Sequence, residues 1–204
     1  NAGYEATLAR VLARQGRASE AMQRVKLIDA TQDPINKASA LMALVQYTSL
    51  RQSVLPDAMR ELRKMINATP GSIELRICYA DLLIYDNQLE TADQVLEQIQ
   101  NIPPDDGEVA ARRAWILAVT SGSPQEASDL IAHAIQMQPQ NSAFRVMKGR
   151  ILMAAGKYAE VLSGFNGLNA DKMSQAALTY QAAALLEMNE TDEAWRTIKQ
   201  LRLQ

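Results

Sequence analysis

One spacing constrains this chain more than anything else in it. Small residues that open an apolar stripe recur at Ala21, Ala58, Ala92, Ala127, Val161 and Ala194, in steps of 37, 34, 35, 34 and 33 residues. Four positions after each stands an apolar residue (Val25, Leu62, Leu96, Ile131, Phe165, Ile198), and three further on another (Ile28, Met65, Ile99, Ala134, Leu168, Leu201). That i, i+4, i+7 pattern is one face of an α-helix. A period of this length is a single supersecondary unit that cannot bury its apolar face alone, so its copies must stack. The chain therefore reads as all-α, one solenoid over residues 1–204 built from about six helix-turn-helix repeats, near 2–34, 35–70, 71–104, 105–139, 140–172 and 173–204.

Punctuation supports the period. Five residues before the small position stands Gly16, Asn87, Gly122, Gly156 or Asn189, residue types that tolerate the positive φ of a helix C-terminus. The second repeat departs, with Arg51-Gln52-Ser53 at that place, and its step of 37 predicts a longer first helix or a loosened connection. Pro34, Pro70, Pro104 and Pro139 close the first four repeats, where a residue without an amide hydrogen ends one helix or starts the next. Ser123, Pro124 and Glu126 read as a capped helix start. Twelve helices follow: 3–15, 18–31, 35–50, 54–67, 72–86, 89–101, 106–121, 124–137, 141–155, 158–168, 173–188 and 191–203. Twelve residues before the anchoring position the first helices carry Ala9, Ala80, Trp115, Gly149 and Ala182, mostly the small side chains that close helix crossing favours.

Taken together, Leu8-Ala9, Leu12, Gly16, Ala21, Val25, Ile28 and Pro34 on a period near 34 resemble the tetratricopeptide repeat. The resemblance covers nearly the whole chain and implies a right-handed α-solenoid with a concave side lined by first helices. It implies an interaction module, a segment of a larger bacterial protein, in the cytoplasm or the periplasm. Carried over by alignment, the groove positions are Arg10 and Arg14; Glu74, Ile77, Asp81 and Tyr85; Arg112, Ile116 and Val119; Val146, Arg150 and Met153; Thr179 and Glu187. Such a groove suits an amphipathic or extended protein segment whose carboxylate meets Arg112 or Arg150 in forked geometry. The same positions also fit a solvated face with packing inside the array. The lysine and asparagine clamp by which some family members hold chaperone tails has no counterpart here, since Asp81 and aliphatic residues occupy those places.

Reactive chemistry finds little to build on. His133 is the only histidine and Cys78 the only cysteine, so a triad, a histidine metal site or an intramolecular disulfide lacks its partners. Gly149, Gly156, Gly164 and Gly167 form no phosphate-cradling loop, because no Gly-Lys-Ser/Thr follows. Neither an enzyme nor a cofactor or metal protein is expected. With Lys plus Arg at 21 against Asp plus Glu at 23, the net charge of −2 offers no field to recruit nucleic acid. No apolar run is long enough to insert into a membrane. The expected partner is a protein or peptide.

The last predicted helix offers Trp195, Ile198, Leu201 and Leu203 with no helix after it. A solenoid needs a polar cap at its end, so this face implies either continuation of the chain or self-association, including a homodimer through the C-terminal helix. The alternative function is thus a structural element that assembles through its terminal repeats.

Overall fold

The computed structural model describes residues 1–99, 107–120, 123–165 and 175–202. Among them are twelve α-helices and no strand: α1 (Ala2–Arg14), α2 (Ala18–Lys26), α3 (Pro34–Tyr47), α4 (Arg51–Ala68), α5 (Ile73–Tyr85), α6 (Leu89–Glu97), α7 (Glu108–Thr120), α8 (Pro124–Met137), α9 (Ser142–Ala154), α10 (Tyr158–Phe165), α11 (Gln175–Glu187) and α12 (Thr191–Leu201). The expected Pro104, Gly122, Gly167, Leu168 and Leu203 features lie outside the described residues.

Four of the hairpin turns share one geometry. Gly16, Asn87, Gly156 and Asn189 adopt φ of 74°, 60°, 69° and 64°, the left-handed region in which glycine is unstrained and asparagine is tolerated. Each of these residues bonds three back, and the next residue bonds five back: Arg17 N to Leu12 O at 2.9 Å, Gln88 N to Leu83 O at 2.9 Å, Lys157 N to Leu152 O at 2.9 Å, Glu190 N to Leu185 O at 2.8 Å. This pair of bonds occupies carbonyls that the end of a helix would otherwise leave without donors.

The second hairpin solves the same problem differently and corrects the expectation for Arg51-Gln52-Ser53. Its turn is Thr48 to Leu50, and Arg51 already begins α4. Thr48 is extended at φ −118°, ψ 158°. Its hydroxyl donates to Leu44 O at 2.6 Å and accepts from Leu50 N at 3.2 Å, while Arg51 Nε donates to Val45 O at 3.1 Å. Side chains here satisfy the carbonyls that a left-handed residue satisfies elsewhere. The long step of 37 resides in α4, an 18-residue helix that starts seven residues before Ala58, where the other second helices start three before their anchors. The insertion is one helical turn at the start of a second helix, and the first helix α3 is longer than the other first helices by a single residue. The second helix of the first repeat, in turn, ends at Lys26 and not at 31.

Between hairpins, side chains start the helices. Asp33 accepts from Asn36 N ahead of Pro34, Ser72 accepts from Leu75 N, and Asn141 accepts from Ala143 N, each supplying an acceptor for an orphan amide. Arg76 and Arg145 each reach back six residues to the carbonyls of Pro70 and Pro139, at 3.1 Å in both cases. Ser123 stands at the N-cap of α8 with Pro124 behind it, but its side chain makes no capping bond.

The chain divides into two compact units of three hairpins each, Asn1–Ile102 and Pro103–Gln204. In the first, α1, α3 and α5 are the first helices of their hairpins; α3 packs on both α1 and α5, and α2 and α4 each pack on the first helix that follows. The second unit repeats the scheme, with α9 between α7 and α11, α8 against α9, and α10 against α11. The anchoring residues Ala21, Ala58, Ala92, Ala127, Val161 and Ala194 are all buried. At the close-crossing position Ala9, Ala80 and Ala182 are buried, and so is Gly149, where an added Cβ would lie 2.9 Å from Phe165 Cζ.

Candidate functional site

The first helices of each unit lie side by side, so residues four apart on them share a surface. In the first unit that surface carries a cleft of about 230 Å³ between α1 and α3, walled by Arg10, Arg14, Gln46 and Tyr47 and floored by Ser39, Met42 and Ala43. The two arginines are exposed one turn apart on α1. Arg14 lies over the Tyr47 ring, 5.3 Å from its centroid, and Arg10 Nη2 donates to Thr7 Oγ1 at 3.1 Å. Tyr47 keeps 41% of its surface. On α5, Ile77, Asp81 and Tyr85 are all half-buried, and Arg51 from the start of α4 lies 5.1 Å over the Tyr85 ring. Arginine over tyrosine thus recurs, Arg14 on Tyr47 and Arg51 on Tyr85, about one period apart. Stacking leaves the in-plane N–H groups of a guanidinium free to point outward.

The second unit arranges its arginines otherwise. Arg112 Nη1 donates to the Glu108 carboxylate and, at 3.0 Å, to the Glu108 carbonyl, and its side chain keeps 18% of its surface. Asn141 Nδ2 donates to the other Glu108 oxygen at 3.2 Å, so the ion pair is tied to the start of α9. Arg150 sits 3.7 Å over the Trp115 ring. Its charge also acts on Tyr180 of α11, whose pKa burial raises and Arg150 partly lowers. Arg150 therefore interacts with residues on both flanking first helices. Ile116, placed on the groove by alignment, is 2% exposed; Val146 and Met153 are half-buried, and Val119, Thr179 and Glu187 are exposed.

No protein-family model matches the sequence, and no curated protein is significantly similar to it. Solved structures do match. A tetratricopeptide repeat protein from Parabacteroides merdae superposes with a TM-score of 0.63 at 16% identity, covering 99% of this chain and 79% of that one. A thermophilic tetratricopeptide repeat protein of Thermus thermophilus gives 0.62 at 15%, covering 98% and 99%. The fold is that of the tetratricopeptide repeat. At these identities the likeness establishes architecture and leaves the surface of this chain to be read from its own residues.

In tetratricopeptide terms, the structure brings together Arg10 and Arg14 with three residues the sequence reading missed: Met42, Gln46 and Tyr47. All three lie on α3, whose register the extra turn of α4 displaces by four residues. The available signal was the spacing of Tyr47 and Tyr85, each the last residue of its helix. Cys78 is half-buried on α5 and His133 is exposed on α8. Among the described residues no three His, Cys, Asp or Glu side chains gather as a metal site would require, and no helix is long and apolar enough to cross a membrane. At the C-terminus Trp195 is exposed and Ile198 and Leu201 are half-buried, Leu201 against the α10–α11 core.

Proposed function

We propose that this chain is an interaction scaffold whose first-helix surfaces hold a segment of a partner protein. The observation that carries it is the α1–α3 cleft, where Arg10 and Arg14 flank a floor of Ser39, Met42 and Ala43 beside the exposed Tyr47 ring. One arginine stacked on an aromatic wall, a second one turn away and a floor that includes Met42 suit a segment that anchors an apolar side chain and presents a carboxylate to a guanidinium fork. Arg112 already holds a carboxylate of its own chain and Arg150 faces an indole, so the first unit offers the better cationic grip. No residue is assigned a catalytic role.

Selection of binders from a random displayed-peptide library tests this. The expected pool is enriched in Asp or Glu beside a large apolar residue, and Arg10→Ala with Arg14→Ala weakens the selected peptides at least tenfold, the loss of about 1.4 kcal/mol. A pool without acidic bias whose binding ignores Arg10 and Arg14 defeats the assignment of this cleft.

A further inference from the structure

A cavity of about 150 Å³ lies inside the second unit, where α8, α9 and α10 meet. Ile135, Leu152, Val161 and Phe165 wall it, and the last three are buried. Arg145 and Lys148, half-buried one turn apart on α9, also line it, and no carboxylate does. Arg145 Nη2 donates to Pro139 O at 3.1 Å, which holds the guanidinium in place and leaves further N–H groups of its fork to donate. Among the described residues Lys148 makes no ion pair.

Two register positions make this place differ from its counterparts. Thirteen before the anchoring residue the six repeats carry Leu8, Val45, Tyr79, Ala114, Lys148 and Gln181, so the lysine is the one charged side chain of the series. Three after the anchor the fifth repeat has Gly164, where the third has Val95 and the fourth Leu130, and no other repeat has glycine there. In the third repeat the counterpart of Lys148, Tyr79, is buried, and Arg63 donates to its hydroxyl and lies over its ring. A bulky, hydrogen-bonded side chain thus occupies the position at which the fifth repeat sets a cation. At Gly164 an added Cβ would meet nothing within 4 Å, so the space that other repeats give to a side chain stays open.

We infer that this cavity is a binding site for a small organic monocarboxylate whose apolar end is a ring or a branched alkyl group. The sign of the charge follows from the lining, two cations and no anion around one pocket. Arg145 offers a carboxylate a planar fork and Lys148 a point charge. The apolar end follows from the walls and from their size, since a cavity of this volume accepts a group on the scale of a benzene ring. One such group fills it, which sets the ligand at the scale of a single small acid. None of these residues belongs to the α1–α3 cleft, so this reading and that of the cleft stand or fall separately.

The experiment titrates the whole chain with 3-phenylpropionate, reading amide shifts by NMR and affinity by calorimetry. Beside it run 3-phenylpropanol and 3-phenylpropylamine, which keep the ring and change the charge. The acid is expected to shift amides of α9 and α10 around Lys148 and Gly164 and to bind about fivefold more tightly than the alcohol, as a half-exposed ion pair allows, with the amine weakest. Lys148→Gln is expected to remove that preference while the alcohol binds as before, a result that loss of the fold would not give. Gly164→Leu gives α10 the residue that the fourth repeat carries there and a better helix former; it is expected to abolish binding of acid and alcohol alike without lowering the melting temperature. Acid that binds no better than alcohol, a preference that survives Lys148→Gln, binding that survives Gly164→Leu, or shifts confined to the α1–α3 cleft overturns the proposal.

Discussion

Both units carry arginines on their first helices, Arg10 and Arg150 at the same register position, yet the charges end in different hands. In the first unit Arg10 and Arg14 are exposed and frame an open cleft, Arg14 resting on a tyrosine that itself faces solvent. In the second, Arg112 is neutralised by Glu108 one turn earlier, and Arg150 is wedged over Trp115 and acts on Tyr180. The same periodic scaffold therefore makes one surface whose cations are available and another whose cations brace the helices. Register decides where a side chain stands. Its immediate neighbours decide whether it can meet a ligand.

If the second unit is the braced one, crowding its first helices should be the most damaging change. Gly149→Val is expected to lower stability by about 1–3 kcal/mol, the usual cost of overpacking, because even a Cβ there sits 2.9 Å from Phe165 Cζ. Gly149→Ala should cost less, since the added methyl gains helix propensity of about 1 kcal/mol that offsets part of the clash. Denaturant titration measures both. A neutral Gly149→Val would mean that α9 and Phe165 are free to separate, and the contrast between the units would weaken.

The arginines give the direct comparison. Arg150→Gln is expected to cost about 1–2 kcal/mol, as for a partly desolvated cation on an indole, and Arg14→Gln about 0.5 kcal/mol, as for a solvent-exposed one. Melting temperatures of the two variants rank them. Equal costs would show that Arg14 is as structural as Arg150, and the cleft would lose its claim to a free charge.

How much of this was legible beforehand depends on where the physical cause leaves its mark. The turns at Gly16, Asn87, Gly156 and Asn189 could be found because positive φ selects few residue types. The turn at Thr48 could not, since a hydroxyl and the Arg51 side chain do the same work with residues common anywhere in a sequence. Because of that one turn the helix expected over 35–50 received no groove positions, and Tyr47 and the floor of the cleft went unassigned. The capture of Arg112 was legible in principle, for Glu108 precedes it by four on one helix. Trp115 and Arg150 stand 35 residues apart, about one period, which in a stacked array means neighbours. Ile116 is the opposite case: its spacing puts it on the groove, and its burial follows from packing that spacing does not describe.

The smallest effect expected concerns Tyr180, and it tests whether Arg150 is coupled to α11 at all. Burial raises the Tyr180 pKa above its ordinary value, and the Arg150 charge opposes that rise. An unfolded tyrosine loses its proton near pH 10. The folded one holds it to higher pH, so the associated stability is fully present below pH 10 and is lost as pH rises through the folded value. Tyr180→Phe should flatten that part of the alkaline stability profile while leaving the neutral range almost unchanged. In the Arg150→Gln chain the tyrosinate absorbance of Tyr180 should appear at still higher pH than in wild type, because the charge that favours the anion is gone. An unmoved titration would show that Arg150 reaches α7 but not α11, and the second unit would then be braced across one helix junction where two are drawn here.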